Sequence, residues 1–319
     1  MIEPYETYAL FKNVDESILL LNKILKPYDF EFQKVNLRRL QDEFGEIFIY
    51  DNKKDNSEDL NYNGVIIKSN FFRLFTQSQF LTTQKIDIKD PFYLIFLKDL
   101  AKDDWKIIKN RLKLNLKEFA RTQKFATELL QILRLSKPGN VDLNGFITIS
   151  KKERHITIGS LQTTPNLVFS RTYQVSNEDV NQINNKITEK QTVNKISELA
   201  LQNFELSYRI VDPRIRFTTL MTALECLFNL GKEQISHTIS RHLSLIVSDD
   251  RNSFQENYVR IKKLYKLRSE IIHGSYTKRP EHELYELEDF VRKALNYTLK
   301  SGLTKDELFR QLNHMGYDK

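Results

Sequence analysis

Cysteine is almost missing from this chain: Cys226 stands alone among 319 residues. No intramolecular disulfide can form, which fits a reducing compartment, so a cytoplasmic location is expected. Glycine is scarce too, nine in all, about 3% against a usual ~7%. Neither GxGxxG nor GxxxxGKS/T occurs, so the backbone cradles of dinucleotide and P-loop sites are absent. HExxH, CxxC and GxSxG are missing as well, which speaks against zinc-protease, zinc-ribbon and α/β-hydrolase chemistry. No apolar run approaches the ~20 residues that a membrane span needs. The opening MIEPYETYALF is acidic and has no apolar core of a signal peptide. No membrane partner, metal or cofactor is expected.

Apolar residues at 40% and charged residues at 29% describe an ordinary globular protein, and 319 residues suffice for two domains. The net charge is +7 and the pI about 9.1, which favours a polyanionic partner. The distribution says more than the total. Between Arg260 and Arg279 seven basic residues face one acid, Glu270. Solvated lysine faces are common, so charge alone does not decide a function.

The fold class read from the pattern is α+β: a mixed α/β domain over 1–188, then an all-α helical bundle over 189–319. YETYALF, FEFQKVNL, EIFIYD, GVIIKS and FYLIFL carry the β-branched and aromatic residues of strands. VDESILLLNKIL reads as a short amphipathic helix with Asp15 or Asn13 as cap, and residues 51–64 as a polar loop. A long helix is predicted over about 102–135, stopped by KPGN, with Trp105 in its core-facing pattern. FITIS, HITIGS, LVFS and TYQVS read as short antiparallel strands. From about Ser176 the chain is helical to its end, punctuated by Pro213, Gly231, Gly274, Pro280 and a Thr304–Glu307 capping box. His155 is given to structure, and His282 and His314 to the surface. His237 and His242 lie five apart, which misses the i,i+4 spacing that would stack two metal ligands.

One helix breaks its own rule. On a wheel of the segment 254–273, Phe254, Tyr258, Ile261, Leu264, Tyr265, Ile271 and Ile272 share a face. Arg268 falls inside that stripe, within about 20° of Ile261. A guanidinium cannot shed its proton, and burying it unpaired costs several kcal/mol. It therefore needs an anionic partner, a wet cleft or an interface; Glu225, at the edge of an apolar helix face, is a candidate partner for Arg268 or Arg216. His273 closes the same helix just before Gly274, about 140° around from Arg268, on the flank of Lys262, Lys266 and Ser269. Guanidinium, imidazole and lysines around one helix end suit a phosphodiester: cations hold the phosphate and histidine moves a proton.

Arg268-x4-His273 within IKKLYKLRSEIIHGS resembles the R-x4-6-H motif of the HEPN superfamily, most closely its Apea-like family. ALQNFELSYRI, RFTTLMTALECLF and LYELEDFVRKAL follow the same family pattern, in order, over about 190–300. The resemblance implies a helical bundle that pairs as a homodimer and builds a composite site at the cleft. It implies metal-independent endoribonuclease activity in anti-phage defence or a toxin-like role, with Arg268 and His273 catalytic. Lys262, Lys266 and Ser269 are then expected to bind RNA, with Glu225 and Arg216 in support. Ser269 departs from the Asn, Asp or His common after the motif arginine. The first domain is the expected sensor of a phage-derived or cellular trigger. The rival reading is a non-catalytic RNA- or nucleotide-binding or dimerisation module.

Overall fold

The computed structural model describes residues 5–35, 92–97, 111–150, 155–161, 171–189, 195–229, 234–276 and 278–315. EIFIYD, GVIIKS, the 51–64 loop, Trp105 and LVFS lie outside the described residues, as do parts of the 1–188 segment read as a mixed α/β domain. The chain divides into two compact units that part between Asn184 and Asn185, except that Ile132–Pro138 and Asn166–Phe169 are assigned to the second.

In the first unit, β1 (Tyr5–Lys12), β2 (Phe30–Val35), β3 (Phe92–Leu97), β4 (Asp142–Ser150) and β5 (His155–Leu161) form one sheet in the order β2-β3-β1-β4-β5. Every strand pairing described within the sheet is antiparallel. Alternation along the strands puts Ala9, Phe11, Phe30 and Phe32 in the core. Phe11 meets Phe32 edge-on, and Phe30 stacks on Phe125 of the long helix α1 (Arg111–Ser136) at 4.0 Å between centroids. The expected helix at VDESILLLNKIL is a 3-10 segment, Glu16–Leu21, running into one α turn. Asp15, not Asn13, caps it, accepting from the Ser17 amide at 2.9 Å. TYQVS is not a strand: Tyr173 makes a single parallel bridge with Val14. Its ring also explains KPGN, because a Cβ on Gly139 (φ +149°) would meet Tyr173 Cδ2 at 2.7 Å.

The second unit is the expected helical bundle: α2 (Asn177–Thr188) leads into it, then α3 (Lys195–Ser207), α4 (Pro213–Phe228), α5 (Ile235–Val247), α6 (Arg251–Ile272), α7 (Glu281–Ser301) and α8 (Lys305–His314). Start signals work as read. Asp212 caps α4 ahead of Pro213, and the Arg214 hydrogen bond holds its carboxyl down to about 2. Thr304 and Glu307 make a reciprocal capping box on α8. At the other end of α8, Arg241 donates to the carbonyls of Leu312 (2.9 Å), Asn313 (3.3 Å) and Met315 (3.2 Å), satisfying groups the helix leaves open. α7 lies against α3, α4 and α5, around a core that includes Phe204, Phe217, Leu224, Phe228, Leu264 and Leu287.

Within that apolar core sits an ion network that the sequence did not announce. Glu288 accepts from Arg216 at 2.5 Å, from Arg292 at 2.6 Å and from the Tyr208 hydroxyl at 3.0 Å. All four residues are at most 3% exposed. Arg134, the buried end of α1, pairs with Glu205, lies 4.2 Å from the Tyr208 ring centroid and receives the Arg292 Nε–H on its carbonyl at 2.8 Å. Burial first, and then Glu288, push the Tyr208 phenol well above its ordinary value, so it stays a donor. Glu288→Ala would strand the buried Arg216 guanidinium and leave Arg292 with Asp289 alone as anionic partner, and is expected to cost about 3–5 kcal/mol, a large part of a typical total. Urea unfolding followed by circular dichroism measures this.

His242, 1% exposed, bonds Asn313 Oδ1 at 2.9 Å and packs edge-on against Phe309. Burial lowers its pKa, with the Asn313 bond opposing. The unfolded chain therefore takes up this proton first as pH falls. The stabilising contribution is complete above the ordinary value near 6.5 and is lost as pH drops through the folded value. Thermal melts of wild type and His242→Gln between pH 7.5 and 5 should diverge, the wild type falling more steeply, by up to about 1.4 kcal/mol per pH unit.

Candidate functional site

The buried stripe on α6 is displaced from the one the wheel predicts, taking in Leu267 and leaving Ile272 out. Ile261, Leu264 and Leu267 are buried; Phe254, Tyr265 and Ile271 pack partly against the core; Ile272 is exposed. Those apolar residues fix the rotation of the helix and so the direction of every other side chain on it.

Arg268 then meets an anionic partner within its own chain. Its Nη2 lies 3.3 Å from Glu225 Oε1 and 3.4 Å from Oε2. Tyr265 donates its hydroxyl to the same Oε1 at 3.3 Å, and its ring centroid lies 5.9 Å from the Arg268 guanidinium carbon. Burial, and then the Glu225 carboxylate, raise the Tyr265 pKa. Tyr265 is the residue that the sequence reading passed over: its apolar ring fits the stripe, while its hydroxyl serves the carboxylate. The i,i+3 spacing from Tyr265 to Arg268 was the available signal.

This ion pair differs from the others in the bundle. Arg260 holds Glu286 through Nε at 2.7 Å to both carboxylate oxygens. Arg216 and Arg292 are interred and short-bonded to Glu288. Arg268 contacts its partner only at 3.3 and 3.4 Å; its side chain is 27% open against 39% for Arg260, and its buried Nε–H, like that of Arg216, has no protein acceptor among the described residues. Arg216, expected to support the site, belongs to the Glu288 network instead.

His273 is the C-cap of α6 and is exposed. Gly274 follows at φ +73°. The Ser275 amide donates to the Glu270 carbonyl at 3.0 Å and the Gly274 amide to the Ile271 carbonyl at 3.2 Å, the paired bonds of a Schellman turn. The imidazole is thus presented to solvent on a closed, glycine-dependent end. Lys262 and Lys266 are exposed, Lys262 Nζ lying 5.9 Å from the Tyr258 ring centroid and Lys266 Nζ 3.8 Å from Glu270. Ser269 is half-buried, and its carbonyl accepts the His273 amide at 3.0 Å.

Because α6 is helical without interruption to Ile272, Arg268 and His273 leave it about 140° apart. One copy therefore brings Arg268, Glu225 and Tyr265 together, and sets His273 with the lysines on another flank. Among the described residues no group of three His, Cys, Asp or Glu could hold a metal, and no helix is long and apolar enough to cross a membrane. His237 bonds the Tyr258 hydroxyl at 2.8 Å, while His282 and His314 are exposed. No protein-family model, no curated protein and no solved structure matches this chain.

A Cβ on Gly274 would meet nothing within 4 Å, so Gly274→Ala isolates the cost of the left-handed backbone. It should lower stability by about 1 kcal/mol, read from paired chemical melts.

Proposed function

We propose that the helical unit is a metal-independent endoribonuclease of the HEPN type that works as a homodimer, with two copies of Arg268 and His273 lining one cleft. The observation that carries this reading is the contrast among the arginines. Arg216 and Arg292 are interred with short bonds to Glu288, and Arg260, though part-open, holds Glu286 at 2.7 Å, whereas Arg268 reaches Glu225 only at 3.3 and 3.4 Å. The same helix ends in an exposed imidazole with exposed lysines on its flank.

In the proposed reaction His273 accepts the proton of a ribose 2′-OH as O2′ attacks the adjacent phosphorus. The P–O5′ bond breaks, and O5′ receives a proton from His273 of the second copy. A 2′,3′-cyclic phosphate and a 5′-OH result. Arg268 carries the charge that builds on the non-bridging oxygens. Lys262 and Lys266 draw the backbone in, with Ser269 beside them, so binding weakens steeply with salt. The first unit, as a sensor of a phage-derived or cellular trigger in the cytoplasm, completes the proposal. The divergence of Arg268 and His273 on one helix favours a second reading, an RNA- or nucleotide-binding or dimerisation module that cuts nothing.

Full-length protein incubated with total RNA in EDTA separates the two. The nuclease reading expects cleavage that Arg268→Ala and His273→Ala each reduce by at least about 100-fold, with His273→Ala still binding RNA. Cleavage that survives both substitutions rejects the mechanism, and binding without cleavage selects the second reading. A strict monomer by solution mass rejects the composite site.

A further inference from the structure

In this conformation Glu225 engages Arg268 Nη2 and Nε is shut away from solvent, so the Nε–Nη2 edge is closed to a phosphate. We infer that Glu225 is a latch: it holds Arg268 in a closed state that phosphate must displace, with Tyr265 holding the latch in turn. The inference rests on the reading of Arg268 as the phosphate-binding group.

Three features of the contact support it. The first is fit. A guanidinium and a carboxylate at their best make two parallel bonds of about 2.7–2.9 Å, as Arg260 and Glu286 approach at 2.7 Å. Arg268 offers only Nη2 to Glu225, at 3.3 and 3.4 Å. A strong structural bridge would not be built this way.

The second is the orphan donor. Arg268 Nε is shut away from solvent without an acceptor among the described residues, as Arg216 Nε also is; Arg216 is interred at 4% exposure, whereas 27% of the Arg268 side chain is open, so only Arg268 has solvent beside it into which to swing, and the unmet donor costs free energy for as long as it stays put. A tetrahedral phosphate takes the Nε–Nη2 edge of a guanidinium side-on, using both donors together. Reaching that arrangement means swinging the side chain out from Glu225. The closed state therefore leaves unsatisfied the donor that an anion would satisfy.

The third is the hold on Glu225. Its Oε1 is shared between Arg268 and the Tyr265 hydroxyl. Tyr265 keeps the carboxylate aimed at Arg268, and would still hydrogen-bond it once Arg268 has left, so the released carboxylate need not be stranded. Glu225 lies on α4, and Tyr265 and Arg268 lie one turn apart on α6.

The test uses the full chain and inorganic phosphate as probe, followed by the arginine Nε–H resonances, with the Arg268 signal assigned by its loss in Arg268→Gln. Glu225→Gln should bind phosphate at Arg268 about tenfold more tightly than wild type, and the Glu225→Gln/Arg268→Gln double variant should lose the gain. Glu256→Gln, on the exposed side of α6, removes the same charge without touching Arg268 and should leave the affinity unchanged. Tyr265→Phe loosens the latch more gently, by about two- to threefold, and serves if Glu225→Gln melts abnormally. Equal phosphate affinity in wild type, Glu225→Gln and Tyr265→Phe, or an equal gain in Glu256→Gln, overturns the latch. Cleavage in EDTA is scored separately on the same proteins. A phosphate gain without cleavage by any variant leaves the latch standing and rejects the nuclease; cleavage without a phosphate gain does the reverse.

Discussion

The helical unit depends on the carboxylate of Glu288. It accepts from Arg216, Arg292 and Tyr208 in a region almost closed to water. Arg292 reaches Glu288 from one turn along the same helix, whereas the Arg216 guanidinium and the Tyr208 phenol, on separate stretches of chain, have to arrive together at that point. Apolar packing alone tolerates small slips of one helix along another. A buried charge network does not, because any slip leaves a cation without its anion. Arg134 extends the constraint to the last turn of α1, whose carbonyls at Arg134 and Leu135 receive Arg292 Nε and Asn296 Nδ2. The end of that helix is built into the bundle as firmly as the bundle's own members.

Against that background Arg268 stands out by what it does not have. Arginines that serve the fold hold a carboxylate by short bonds, as Arg216, Arg260 and Arg292 do, or are capped onto carbonyls, as Arg241 is on α8. Arg268 has only long contacts to its carboxylate, 3.3 and 3.4 Å. Stability gives little reason to place a guanidinium there in preference to leucine; a functional demand for a mobile cation does.

Periodicity and punctuation made most of the helical unit legible. Pro213 after Asp212, Gly274 after His273 and Thr304 with Glu307 set helix ends where the structure has them, because capping is local chemistry. The partners of the charged residues were not legible. Arg216 and Glu288 are 72 positions apart, and Arg134 and Glu205 are 71 apart, so only the folded bundle brings them together. The Glu225 partnership was narrowed to Arg268 or Arg216, and the packing of α7 settles it by giving Arg216 a better carboxylate. VDESILLLNKIL kept its cap but not its helix type, since its run is too short for capping to select α over 3-10. TYQVS has a strand's composition and makes only one bridge, because β propensity reports fit to a pleated surface and needs a neighbour to pair with.

The placement of His273 follows from the same packing that places Arg268. Ile261, Leu264 and Leu267 pin the rotation of α6, and the chain then runs six residues from Leu267 to His273 without a break in the helix before its cap. A guanidinium aimed at α4 and an imidazole turned to solvent are two consequences of one rotational setting. Shifting the buried stripe by one residue would turn the whole helix by about 100°, removing Arg268 from Glu225 and re-aiming His273 together with Lys262 and Lys266. The buried leucines of α6 therefore decide more than stability: they choose which surface each group of the proposed site can present to a second copy.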